Sequence, residues 1–446
     1  MYSMKRSTVF VRGSAMVVAH LLFASISTVL PSSAQTTFRI VAYMHQLGPV
    51  LGLQEASPGL FLSVGGYGYQ GALSITPQGT ITDLGRFPNG YNVQSLLVGG
   101  ADGRFYSSVQ LSVNPPNVFS VSPVPGSKQA YAAQQFVPSI TANTPNGTFL
   151  AVGVGIADGL QYLLRADASG AVSPIQQFPS GTHLSQTAIH ANDGNIYGLF
   201  YLHDGSGSVF SVTPGGIFTK VITFPVNSFS LPISNSAPLL QSRDGDLYGV
   251  TTSGGVNSTG TVYRLTLAGE HTTLYQFPKG AVANPTELIE GSDGNLYGAT
   301  LGTYSALFRV TKAGQYTLLH AMNAYIDGQC QCHLTQGSDG TIYGTTTLGG
   351  PPGVGDVFAL NAGLPKPAPW ARTFEPQSGP AGTRVRIWGA DLLAASVQFN
   401  GLAATSVSNS GASYIWATVP LGATTGPLTI TTPGGTYTTE TVFTVQ

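Results

Sequence analysis

Charge is what this chain has least of. Asp, Glu, Lys and Arg make up 8% of its 446 residues, against about a quarter in ordinary globular domains, which excludes long salt-bridged helices. No basic block occurs, and nucleic acid needs a cationic stripe to neutralise its phosphates, so a nucleic-acid partner is excluded. Past the first 34 residues no stretch approaches the ~20 apolar residues of a membrane helix. Catalytic signatures are missing too: there is no Gly-x-Ser-x-Gly elbow, His-Glu-x-x-His helix, phosphate loop or dinucleotide fingerprint, and no cofactor or metal is expected. Cysteine is limited to Cys330 and Cys332. Cys-x-Cys closes a tiny, strained loop, and with His333 it would crowd three metal ligands into four residues. Two incidental thiols is the favoured reading, ahead of a strained disulfide and of a metal site.

The N-terminus reads as an export signal. Lys5, Arg6 and Arg12 precede an apolar stretch from Ala15 to Ser25, and Ser32-Ser33-Ala34 offers small residues for cleavage. Residues 1–34 are therefore expected to be a signal peptide, leaving a secreted chain; periplasmic or cell-surface retention are the other readings. Its removal leaves 15 basic and 19 acidic residues, a mildly acidic balance. What is abundant is glycine, with 57 residues; together with Thr and aromatic residues it suits an all-β protein rich in tight turns.

One phrase recurs. Ser-Asp-Gly-Asn-Leu-Tyr-Gly stands at 292–298, with close copies at 192–198, 243–249 and 338–344 and worn ones at 57–63, 101–107 and 145–151. The shared glycines, from Gly59 to Gly340, are spaced 44, 44, 47, 51, 49 and 46 residues apart, a period that signifies a repeat architecture. Within a unit an apolar strand meets the Asp-Gly turn, which supplies the positive φ a tight hairpin needs. A second strand follows, then a third of the type Leu307-Phe308-Arg309-Val310, a further turn and a fourth strand. Four short antiparallel strands per unit predict a propeller blade. The seventh unit stops after Leu360 without a fourth strand, whereas Thr36–Tyr43 resembles one. Residues 36–43 are thus expected to complete the last blade and close a seven-bladed β-propeller over 35–364. Pro365-Lys366-Pro367-Ala368-Pro369 reads as a stiff linker, and the short strands of 370–446 as a small immunoglobulin-like β-sandwich.

The recurring phrase, with its Val-Tyr-Arg-Leu-type third strands, resembles the GloVer tandem repeat of exported "choice-of-anchor" bacterial proteins, a family that brings no established activity. The tail is similar to the IPT/TIG immunoglobulin-like domain through Gly379, Gly382-Thr383, Phe399-Asn400-Gly401, Val419-Pro420 and Thr432-Pro433-Gly434-Gly435. That resemblance implies an extracellular spacer or interaction module. The stop at Gln446, with no hydrophobic tail, favours free release over anchoring.

Two surfaces are candidates for function. Four residues before the shared glycines stand Glu55, Gly99, Asn143, His190, Gln241, Glu290 and Gln336. Their expected role is to bond the Asp-Gly turn of their own unit; a Glu55/Glu290 acid–base pair is the catalytic alternative. The second-to-third-strand loops, by contrast, vary, and variable loops on a rigid scaffold are where binding resides. Tyr67, Tyr69, Tyr201, His203, Asp204 and Tyr304 lie there, with rings suited to stacking on sugars or to protein contact. The leading expectation is a non-enzymatic binding or adhesion module engaging an extracellular polysaccharide or protein. A carbohydrate-active hydrolase or lyase on the propeller scaffold is the rival, and a structural matrix protein the third reading.

Overall fold

A computed structural model describes residues 36–446 apart from 45–48, 66–69, 88–90, 94, 112–116, 125–128, 133–135, 186–187, 230–238, 281–282, 302–304, 330–331, 347, 351–352 and 410. The expected signal peptide lies outside the described residues. Among those that are described, every regular element is a β-strand, and residues 35–446 form one compact unit.

The repeats fold into seven antiparallel sheets of four or five strands. The sixth unit is typical: Pro285–Glu290, Leu296–Thr300, Ala306–Val310 and Tyr316–Ala321 pair in sequence order. Its turn follows from the phrase itself. Gly294 sits at φ +78 and donates its N–H to the Gly291 carbonyl at 2.8 Å. The Asp293 carboxylate accepts the Asn295 N–H at 3.1 Å and the Tyr297 hydroxyl at 3.0 Å. Asp193–Tyr197, Asp244–Tyr248 and Asp339–Tyr343 repeat the hydroxyl bond at 2.8 Å. The recurring tyrosine thereby buries its ring while its OH closes the turn, and burial plus the carboxylate push Tyr197 up to about 12.

The final glycine of the phrase has a different task. Gly198, Gly249, Gly298 and Gly344 stand directly across from Phe210, Tyr263, Phe308 and Phe358 on the third strand, and each aromatic side chain occupies the space a Cβ would need. These rings belong to the apolar layers between neighbouring sheets.

The last sheet combines Thr37–Tyr43 with His333–Gln336, Ile342–Thr345 and Asp356–Asn361. The pairing expected of residues 36–43 is present, with Phe38 opposite Leu360 and Tyr43 opposite Asp356. In the tail, Phe374, Val385, Ile387, Val397, Phe399, Ile415, Leu428, Ile430 and Phe443 from two sheets share one core.

Cys332 is buried and disulfide-bonded, which corrects the reading of two incidental thiols; Cys330 lies outside the described residues.

Candidate functional site

Antiparallel order gives every repeat two ends. The Asp-Gly turn and the turn between third and fourth strands lie at one end, and the remaining loops at the other. The polar residues before the shared glycines lie at the turn end, and there the structure differs from expectation. Gln241 and Gln336 do reach their own turns, donating Nε2–H to the Gly245 carbonyl at 2.9 Å and the Gly340 carbonyl at 3.2 Å, but these side chains also bond the turn of the preceding repeat. Gln241 Oε1 accepts the Asn192 N–H at 2.9 Å, and Gln336 Oε1 the Ser292 N–H at 2.8 Å. Glu290 accepts the Arg243 N–H at 3.0 Å and the Ser242 hydroxyl at 2.6 Å, with Lys312 Nζ at 2.8 Å. Glu55 takes the Gly59 N–H of its own turn at 2.8 Å, and also the Ser338 N–H of the seventh repeat at 2.7 Å. The physical reason is reach: the first strand of one repeat runs beside the turn of the one before. Burial raises the Glu55 carboxyl above its ordinary value, against the lowering effect of these hydrogen bonds. Glu55 and Glu290 thus serve two different junctions, each engaged with backbone N–H groups.

The tail covers this turn end. Tyr414 OH donates to the Thr144 carbonyl at 2.5 Å, Trp416 Nε1 to the Ala101 carbonyl at 2.8 Å and Trp388 Nε1 to Asn143 Oδ1 at 3.0 Å. Arg386 reaches the Asn146 carbonyl and Arg372 the His190 carbonyl, both at 3.1 Å. Arg243 bridges back to Asp391 at 2.8 Å and to the Ala368 carbonyl at 2.7 Å. Arg372 lies over the rings of Trp370 and Trp388 at 4.7 and 5.2 Å, and burial brings its guanidinium down to about 10. A cavity of about 250 Å³ remains between tail and turns, lined by Gln241, Arg243, Glu290, Gln336, Arg372 and Asp391. These contacts dock the tail, which in sequence reads as a spacer or interaction module, against the turn end. The double substitution Trp388→Ala with Trp416→Ala is expected to remove about 2 kcal/mol or more per ring. It should speed proteolytic cutting within 365–369 and enlarge the radius of gyration in solution scattering; unchanged cleavage and size would refute the docking contribution.

At the loop end, Tyr67, Tyr69 and Tyr304 lie outside the described residues. Tyr201 is corrected: it belongs to the strand Ile196–Leu202, is 5% exposed, and stacks on His183 at 5.4 Å. The strand runs two residues further than its loop-like sequence suggests, because Tyr201 pairs with Gly207 and His183, and Leu202 with Thr182. His203 and Asp204 do occupy an exposed turn. His203 Nε2 lies 3.3 Å from His183 Nε2, and burial with His203 alongside lowers the His183 imidazole. Asp204 accepts the Ser206 hydroxyl at 2.6 Å and its N–H at 2.9 Å, which lowers its carboxyl; it is a turn-forming residue.

Exposed aliphatic side chains also mark this end. Val256 is 83% exposed at this end, and Ile156, Leu202, Val226, Ile326 and Leu348 are exposed too, as is the aromatic Tyr325 at 87%. Each sits in a loop after a second or fourth strand or at its edge. A glycine-rich loop with a single aliphatic residue, such as Ser253-Gly254-Gly255-Val256, is the signal that was available.

Between the two ends a cavity of about 180 Å³ is lined by Gly52, Leu96, Glu287, His333 and neighbours. His333 Nδ1 lies 3.4 Å from Glu287 Oε2, and burial pushes the Glu287 carboxyl up while His333 opposes it. His333 thus faces Glu287 across repeats, a partnership that its place beside Cys332 did not suggest.

Residues 158–358 match the family model of the Gloeobacter/Verrucomicrobia repeat, which supports the repeat family read from the recurring phrase. No curated protein matches the chain. Among solved structures, a fungal alcohol oxidase of the AA5 family in complex with copper is 12% identical at a TM-score of 0.48, covering 93% of this chain and 100% of its own. An oligogalacturonate lyase from Vibrio parahaemolyticus is 13% identical at 0.47, covering 74% and 97%. A gluconolactonase from Xanthomonas campestris is 14% identical at 0.41, covering 71% and 97%. These likenesses are of fold alone.

Proposed function

We propose that this chain is an exported, non-enzymatic binding or adhesion module that engages an extracellular polysaccharide or protein through its loop end. The seven sheets are the blades of a closed β-propeller. Closure is supported by Glu55, which bonds the turn at Ser338 as Gln241, Glu290 and Gln336 bond theirs, so the junction of first and seventh repeats follows the pattern of the others. The tail is an immunoglobulin-like sandwich of IPT/TIG type that caps the turn end.

The observation that carries this reading is the asymmetry of the two ends. The turn end is covered by the tail, and the polar residues there are committed to holding repeats together. The loop end carries solvent-facing Val256, Tyr325, Ile326 and Leu348, and exposed apolar side chains on loops are anchors that binding surfaces use.

The carbohydrate-active reading retains one supporting observation, the Glu287–His333 pair in its cavity, since a buried carboxyl of raised pKa beside an imidazole suits acid–base work. One experiment separates the two. The purified protein is screened against an array of neutral, amino-sugar and uronate polysaccharides, for binding and for turnover. Binding without turnover, weakened tenfold or more by Leu202→Asp with Val256→Asp, is expected; tenfold corresponds to about 1.4 kcal/mol. Turnover abolished by Glu287→Gln would overturn the binding reading, and binding indifferent to the loop variants would remove the assigned surface.

A further inference from the structure

The most demanding group in the molecule is Asp356. It opens the strand Asp356–Asn361 and is 0% exposed. Its backbone is fully employed: the N–H donates to Thr346 Oγ1 at 2.8 Å and the carbonyl accepts the Thr346 N–H at 2.9 Å. Its carboxylate is not, for neither Oδ1 nor Oδ2 has a hydrogen-bond partner. A bare buried carboxylate forfeits a large part of a domain's net stability unless something neutralises it.

Among the described residues no cation is paired with it, and a second carboxylate, Asp327, disfavours its ionisation. Asp327 directs Oδ2 to His320 Nε2 at 3.1 Å and accepts the Asn323 N–H there at 2.9 Å. Around the pair the backbone is pared to glycine. A Cβ at Gly350 would collide with Asp356 Oδ2, one at Gly328 with Thr346 Oγ1, and one at Gly349 with the Ala324 carbonyl. The two loops are also tied by backbone bonds, from the Gly350 N–H to the Ala324 carbonyl at 3.1 Å and from Gln329 to Leu348 at 2.5 Å. The Asp356 carboxylate, the Thr346 hydroxyl and the Asp327 carboxylate with its His320 partner are thus brought together.

We propose that Asp356 and Asp327 hold a calcium ion that pins the 323–329 loop to the start of the strand Asp356–Asn361. The donor set is all oxygen, which selects a hard cation, and an irregular glycine-rich cradle suits the variable geometry of calcium better than the strict octahedron of magnesium. The position gives the ion a structural role. Asp356 pairs with Tyr43, and the Met44 N–H reaches the Gly355 carbonyl at 3.4 Å, so the site lies where the N-terminal strand joins the last sheet. The two loops also present Tyr325, Ile326 and Leu348 to solvent, and the ion would fix their arrangement. The site does not depend on what the loop end binds.

The test uses the purified full-length protein stripped with EGTA. Calorimetric titration with calcium chloride should show saturable binding of one ion. Calcium at a hundredfold excess over Kd should raise the unfolding midpoint by about 3 °C, and magnesium by much less. Asp356→Asn and, separately, Asp327→Asn should lose both responses, and the second keeps the test open if the first fails to fold. An unchanged midpoint with no binding heat overturns the proposal, as does a calcium response that survives both substitutions. The alternative state is a neutral buried acid. The Asp356 carboxyl is held near about 6 against an ordinary 3.8, so its folded state binds the proton more tightly than the unfolded chain does. Stability would then fall as pH rises from about 4 through about 6 and calcium would not restore it; that result also overturns the proposal.

Discussion

Gly298→Val is expected to unfold the repeat region at temperatures where the parent protein is intact. Any Cβ at Gly298 would run into the Phe308 ring and would lie 2.6 Å from the Glu287 carbonyl. Neither obstacle yields cheaply: Phe308 is fully buried, and the carbonyl is backbone of the neighbouring strand. Overpacking costs typically 1–3 kcal/mol and more where the backbone must move; a branched side chain here should cost about 3 kcal/mol or more, out of the ~5–15 kcal/mol that separates folded from unfolded states. Gly294→Ala is the informative control. That glycine has φ +78 and nothing within 4 Å of an added Cβ, so only left-handed backbone strain of about 1–2 kcal/mol applies. Urea denaturation followed by circular dichroism measures both. If Gly294→Ala proves the more damaging, the second glycine of the phrase is not the steric requirement the structure indicates.

Removing residues 37–43 should be as damaging, by a different route. The strand pairs with Asp356–Asn361 from Thr37 opposite Asn361 to Tyr43 opposite Asp356. Phe38 stacks on His320 at 3.9 Å and meets Phe358 at 5.4 Å, while Ala42 is buried and Ile40 half-buried. Losing these contacts and the ladder bonds should cost roughly 3–5 kcal/mol. It also leaves Asp356–Asn361 as an open edge, which invites pairing with other chains. The expected result is a protein that associates on size exclusion and melts in more than one step. A synthetic peptide spanning 36–44 should restore a single transition by adding the missing strand. A deletion variant that stays monomeric and melts as the parent does would mean that this strand contributes little to holding the ends together.

Both predictions rest on features that differ in how far the sequence exposes them. The Asp-Gly turn was legible because its chemistry is local: Asp293 bonds residues two and four positions on. The pairing of the N-terminus with the seventh repeat was legible because each lacked what the other had. The role of Gly298 was not, since the ring that occupies its Cβ space comes from a different strand. Likewise the turn that Glu290 bonds lies 47 residues back, although the residue type and position were recognised. Tyr201 reads as a loop residue because the glycines after it resemble a loop, yet Gly207 is its strand partner.

By itself the sequence determined the repeating unit, its number and its strand-rich character. Period-2 alternation and turn propensity act over a few residues, and a phrase repeated at near-constant spacing multiplies that local signal. Tertiary structure alone decided where the tail goes, which turns the polar side chains bind, and which carboxylates are left without partners. Trp388 meets Asn143 across 245 residues and Glu55 meets Ser338 across 283. Contacts over such separations depend on how the sheets are packed, and no local pattern of residues encodes them.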